Sequence, residues 1–254
     1  MRILLSNDDG VDAKGIEALV KALYKEHEVI VSAPMYQQSG MAHALTVGTP
    51  MEVKHHERLE TDYGITAIAV DGTPTDSVKL YLEAIAGDKQ PDLVVSGINH
   101  GANLATDVLY SGTVGAAMEG YLHDISSVAL SLDIDSQLSY DEAAAIFAAD
   151  LSKLTGQLTS QTAKPVFYNV NFPKQLKDGR PQYVFGRQGK RDYLNAFERE
   201  EKNGHVFYTM AGEIYDSDKG SATDIYATEH GYISVTPLII DITDYMELDK
   251  RLEK

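Results

Sequence analysis

The apolar run Ile3-Leu4-Leu5 is followed almost at once by Asn7-Asp8-Asp9-Gly10. An Asx turn leading into a helix would need only one Asp there, so two adjacent carboxylates at the end of a buried strand point to a metal or phosphate site. Neighbouring residues of an extended strand face opposite ways. Asp8 and Asp9 therefore reach one ion only if the backbone turns, which Gly10 permits. Two carboxylates a bond apart also repel each other, and a shared divalent cation relieves that repulsion while using both charges.

Two further stretches supply complementary groups. APMYQQSGMAHALT (33–46) is longer than the few residues most strand-to-helix connections use. It offers the Ser39 hydroxyl beside a permissive Gly40, with His43 and Thr46 as further candidates. In GINHGANLATDVLYSGT (97–113), Gly97, Gly101 and Gly112 with Asn99 and Asn103 are residues that tolerate positive φ, which is how amide nests for anions are built. The stretch ends on Ser111-Gly112-Thr113 before a helix, where free amides and the positive helix end suit a phosphate. It is neither a Walker loop nor GxGxxG. The chain has no cysteine, and no His/Cys cluster competes for zinc. The donors are hard oxygens, which favours Mg²⁺ or Mn²⁺ and a phosphate ester.

These groups need elements to hold them. Ile3-Leu4-Leu5, EVIVS (28–32), ITAIAV (65–70), DLVVSG (92–97), SVALSL (127–132) and VFYNVNF (166–172) read as strands, several of them apolar on both faces as in a parallel sheet. Between them lie helical patterns. One has Asp12 as its cap and Ile16, Leu19, Val20 and Leu23 as its stripe. One starts at Thr73-Pro74 and runs through Val78, Leu82 and Ile85; others run from about Val114 and over Tyr140 to Leu154. Strand and helix in alternation predict a three-layer α/β fold with a doubly wound, mostly parallel sheet. Ligands of such sheets bind beyond the carboxyl ends of the strands, where the three stretches above lie. The reading is one domain, with a core over about 1–175 plus 231–254, including the strand GYISVTPL (231–238) and a short helix from Asp244. Residues of about 180–230 form a projecting arm, because their apolar runs are too short to close a core of their own.

Composition narrows the function. Thirty-eight acidic residues against 22 basic ones leave a net charge of -16, which disfavours duplex nucleic acid as a partner. No apolar stretch is long enough to span a bilayer, and Met1-Arg2 leads straight into the first strand with no leader pattern, so a cytoplasmic protein is expected.

MRILLSNDDGVDAKGI, the AP…SG segment at Ser39, GTPTDSV (72–78), VVSGINHGANL (94–104), YSGTVGAAMEG (110–120) and GYISVTPL together resemble the SurE family of stationary-phase survival nucleotidases, in order along the chain. The family commonly has basic or polar residues before its serine, where this chain has Gln37-Gln38. The resemblance implies a Rossmann-like core and a metal-dependent phosphomonoesterase acting on nucleoside 5′- and 3′-monophosphates, with short polyphosphate as a further substrate. It also implies one divalent ion per subunit on Asp8, Asp9, Ser39 and Asn99, and C-terminal arms exchanged in a homodimer or homotetramer.

In the mechanism these residues suggest, the cation binds a phosphate oxygen and acidifies a water, while Asn103 and Ser111 to Thr113 hold the remaining oxygens. Asp8 or Asp9 acting as nucleophile or base stays open. Two other classes compete. A receiver domain also follows its first strand with an acidic pair and could use Asp71, but SLDIDSQL after residue 130 offers no Lys, and the chain is too long. A nucleotide-binding protein without turnover would be told apart by product release.

Overall fold

A computed structural model describes residues 1–154 and 164–252; residues 155–163 and 253–254 of the expected core lie outside the described residues. The central sheet has six parallel strands: β1 (Arg2–Ser6), β2 (Glu28–Pro34), β4 (Thr66–Val70), β5 (Leu93–His100), β6 (Ser126–Leu132) and β7 (Phe167–Phe172). The short β3 (Val53–His55) closes one edge antiparallel to β4. At the other edge β13 (Ile233–Pro237) runs antiparallel to β7 and pairs with β8 (Tyr183–Phe185). The nine strands lie in the order β3-β4-β2-β1-β5-β6-β7-β13-β8. The chain winds outward from β1 through β2 to β4, then returns to lay β5 on the other side of β1. The switch point of the doubly wound fold therefore lies between β1, which Asp8-Asp9 follow, and β5, which carries Asn99 near its end.

Strand alternation explains the layers. Ile3 and Leu5 face a core built with α1 (Lys14–Leu23) and α5 (Tyr140–Leu154), while Leu4 faces the opposite core with α3 (Pro74–Leu80) and α4 (Gly112–Leu122). Every residue of Ile3-Leu4-Leu5 is fully buried, as a two-faced strand requires. Thr73 caps α3 in a complete capping box with Asp76, and Pro74 opens the helix. A π-helical turn at Tyr81–Ile85 then ends it.

Three local expectations change. Asp12 does not cap α1; the N-cap is Ala13, with no side-chain bond, and the Asp12 carboxylate instead meets His56 Nε2 at 3.0 Å. β3 and α2 (Glu57–Tyr63) carry no clear sequence signal, because β3 is exposed throughout and α2 buries only Leu59. Within 180–230, β8 belongs to the central sheet and α6 (Asp224–Glu229) is largely buried. The segments outside the central sheet are β9 (Lys190–Leu194) paired with β12 (Glu213–Asp218), and the hairpin of β10 (Phe197–Lys202) and β11 (His205–Met210). Among the described residues no helix is long and apolar enough to cross a membrane.

Candidate metal and phosphate site

Asp8, Asp9, Ser39 and Asn99 converge on one cavity of about 690 Å³ at the carboxyl ends of β1 and β5. The turn that brings the two carboxylates together is made by Gly10, at φ +99°. A side chain there would press on the backbone of Tyr36, 3.3 Å from the added carbon. Asn7 closes the turn by donating from Nδ2 to Gly10 O at 2.8 Å.

The carboxylates differ in their surroundings. Asp8 is buried at 5 % exposure. Its Oδ1 accepts the Thr113 hydroxyl at 2.5 Å, and the Thr113 amide also bonds to it. Burial pushes the Asp8 carboxyl up to about 6, with the Asp9 charge adding to the rise and the Thr113 bonds opposing it. Asp9 is half-buried; its Oδ2 accepts the His100 amide at 3.0 Å, and Gln37 Nε2 lies 3.5 Å from its Oδ1. No described Lys, Arg or His forms an ion pair with either carboxylate. Two adjacent acids without a countercharge, one of them buried, make a place where a cation lowers the energy.

The other two donors fit the same ion. Asn99 Nδ2 donates to Gly101 O at 2.7 Å, so its carbonyl oxygen is the atom it can offer. The exposed Ser39 hydroxyl accepts from Gln37 Nε2 at 3.0 Å, which leaves a lone pair. Two carboxylates, an amide oxygen and a hydroxyl form an all-oxygen set suited to a hard divalent cation.

The expected phosphate cradle is only partly assembled. Asn103 and Ser111 line the cavity; Gly112 and Thr113 do not. Thr113 is fully buried, and both its amide and its hydroxyl are engaged by Asp8. The start of α4 thus receives a protein carboxylate, which suits the positive helix end as well as a phosphate would. Gly112 is the first helical residue and not a positive-φ position. Its missing side chain is needed for closeness, since an added carbon would lie 2.9 Å from Asp8 Cβ. Ser111 is the N-cap of α4 and accepts the Val114 amide at 3.1 Å. Asn103 lies in a buried amide network: its N–H donates to Asn171 Oδ1 at 2.7 Å, its Nδ2 to Ser131 Oγ at 2.9 Å, and its carbonyl accepts from Asn169 Nδ2.

Sequence reading missed part of the lining. Tyr110, Asp107 and, from the arm, Tyr193 and Met210 also line the cavity. Arg191 binds Asp216 of the neighbouring strand at 2.7 and 3.1 Å and docks the arm on Asp107 at 3.1 Å, where Tyr193 OH also donates at 2.9 Å. Asp107 and Tyr110 fall within the 97–113 stretch but no motif singles them out, and Tyr193 and Met210 are far from the acids in sequence, so only the fold marks them.

Fold and site together define a doubly wound α/β protein with an acidic, all-oxygen site at its switch point. The family model "Survival protein SurE" matches residues 3–195. The chain is 42 % identical to a protein from Pelotomaculum thermopropionicum named 5'-nucleotidase SurE, over all of this chain and 95 % of that one. It is 43 % identical to the protein of the same name from Desulforudis audaxviator, over 98 % and 95 %. The crystal structure of the SurE protein from Aquifex aeolicus superposes with a TM-score of 0.81 at 36 % identity, each chain covered in full. This chain belongs to the SurE family.

Proposed function

We propose that the protein is a metal-dependent 5′-nucleotidase that releases phosphate from nucleoside 5′-monophosphates, and that it extends the same chemistry to 3′-monophosphates and short polyphosphate. The observation that carries this is the convergence of Asp8, Asp9, Ser39 and Asn99 on one cavity at the switch point. The names of the relatives support the nucleotide substrate. When bound, Mg²⁺ or Mn²⁺, one per subunit, withdraws charge from a phosphoryl oxygen and acidifies water. Asp8 and Asp9 balance the ion's charge, while Ser39 and Asn99 fix its position. Thr113 holds the Asp8 carboxylate in one orientation through two hydrogen bonds. Asn103 and Ser111 line the same cavity and are the groups assigned to the remaining phosphoryl oxygens. Asp9, on the more open side, is the carboxylate better placed to take a proton from an attacking water.

The same reading includes a homodimer or homotetramer joined through the arm. Phe197, Phe207, Tyr208 and Met210 are each more than half exposed on the hairpin β10–β11, a heavy apolar load for an element with no core.

The test is a matrix of metals against substrates on chelator-treated protein, with phosphate release as the readout. Release from nucleoside 5′-monophosphates only after Mg²⁺ or Mn²⁺ is restored is the expected result. Equal release with and without metal, or none from any monophosphate, overturns the reading.

A further inference from the structure

The loop after β2 is held on both sides of Ser39. On the near side the Gln38 amide donates to Asp8 O at 2.7 Å; on the far side the Ala42 amide donates to Tyr110 O at 3.0 Å. Only Ser39, Gly40 and Met41 lie between these anchors. An added carbon at Gly40 would meet no heavy atom within 4 Å, so the space beside the middle of this span is open.

The far anchor is reinforced. A side-chain carbon at Gly115 would lie 2.1 Å from Ala42 O, so the loop rests directly on the α4 backbone. His43 Nε2 stands 2.8 Å from Glu119 Oε2. Behind it, Thr73 Oγ1 donates to Ala44 O at 2.7 Å and the Thr46 amide donates to Asp76 Oδ1 at 3.0 Å. The Glu119 side chain is only 3 % exposed. Its other oxygen meets Lys79 Nζ at 3.2 Å and His123 Nε2 at 3.3 Å. Burial acts to raise the Glu119 carboxyl, but the His43 and Lys79 contacts outweigh it and hold the group at about 2, so it stays anionic.

Gly112, Gly115 and Glu119 recur at intervals of three and four, so they share one face of α4. That face meets Asp8 at its start and the Ser39 loop further along. A rigid helix thus sets the distance between the Asp8 carboxylate and the far anchor of the loop.

We propose that the His43–Glu119 pair is a positioning device for Ser39, fixing the far end of the Ser39–Met41 span so that the hydroxyl faces the cation at Asp8 and Asp9. This rests on the reading of Ser39 as a ligand. Neither His43 nor Glu119 lines the cavity, so both act through the loop. Without the anchor, ordering the span has to accompany cation binding and weakens it. Glu83, Glu119 and His123 also bring potential ligand atoms within 4.8 Å of one another, but the Lys79 ammonium already contacts both carboxylates, which makes this group a clamp.

The experiment is calorimetric titration of Mn²⁺ into chelator-treated protein: the parent, Ser39→Ala, His43→Ala, His43→Gln, Glu119→Gln and the double variant Ser39→Ala/His43→Ala. His43→Ala should weaken Mn²⁺ by roughly tenfold, the low end for groups that orient a ligand. His43→Gln, whose amide reaches Glu119, should recover most of it. In the Ser39→Ala background, His43→Ala should add less than about a twofold loss, because its effect passes through the removed hydroxyl. Losses that multiply in the double variant overturn the proposal, as does parental affinity in both His43→Ala and Glu119→Gln. Parental affinity in Ser39→Ala overturns instead the reading of Ser39 as a ligand.

Discussion

Thr113 Oγ1 donates a 2.5 Å hydrogen bond to Asp8 Oδ1, joining residues 105 positions apart. The bond ties the first turn of α4 to the turn after β1, and it engages the Thr113 hydroxyl that the sequence reading assigned to substrate.

Thr113→Ala should therefore weaken cation binding, by about 10- to 100-fold as for other groups that orient a ligand, and Thr113→Ser should restore it. Mn²⁺ titration beside steady-state kinetics checks this. Unchanged metal affinity with a raised substrate KM would return Thr113 to the phosphate.

Asp8→Asn and Asp9→Asn should each lower kcat/KM by more than the roughly 100-fold upper range of groups one shell further out. Neither should unfold the protein. Asp8→Asn removes a buried charge beside Asp9, so without metal the variant should melt no lower than the parent. Wild-type turnover in both variants would remove the site from this cavity.

Gly112→Ala places a carbon 2.9 Å from Asp8 Cβ and 3.1 Å from Pro74 Cγ. Overpacking of this kind costs about 1–3 kcal/mol, and relief must come from shifting Asp8 or the helix start. Lowered metal affinity together with a lowered melting temperature is the expected outcome. A variant with parental values of both would show that the contact relaxes elsewhere.

Glu119 supports a pH prediction. Burial raises its carboxyl, but the His43 and Lys79 contacts outweigh this and lower it from 4.5 to about 2. A depressed carboxyl stabilises the fold above its unfolded pKa, and the contribution is lost as pH falls through the folded value. The expected term is about 3 kcal/mol, fully present above about pH 4.5 and gone near pH 2. Denaturant melts of the parent and Glu119→Gln should show a stability gap at pH 6 that closes across that window. A gap independent of pH would mean that shape, and not charge, is what Glu119 contributes.

The arm gives a prediction about assembly. Light scattering at micromolar concentration should report a dimer or tetramer, and charged replacements at the exposed Phe207 and Tyr208 should shift it toward monomer. A monomeric parent would refute the role proposed for the arm.

Much of this protein was legible in order along the chain. The two-faced run Ile3-Leu4-Leu5, the Thr73-Pro74 helix start and the Tyr140–Leu154 helix depend on periodicity and capping, which act over a few residues. The acids beside Gly10, the Ser39 loop and the glycine-rich stretch after β5 could be assigned to one sheet edge because parallel topology places every such loop there. Tertiary structure decided which groups touch. Asp8 and Thr113 both carry groups that could face solvent, cation or phosphate, and only the approach of α4 at Gly112 pairs them. Tyr193 reaches the cavity wall where Arg191 and Tyr193 itself both bind Asp107. Such contacts rest on hydrogen bonds and ion pairs between distant segments, whose partners no local pattern of residues encodes.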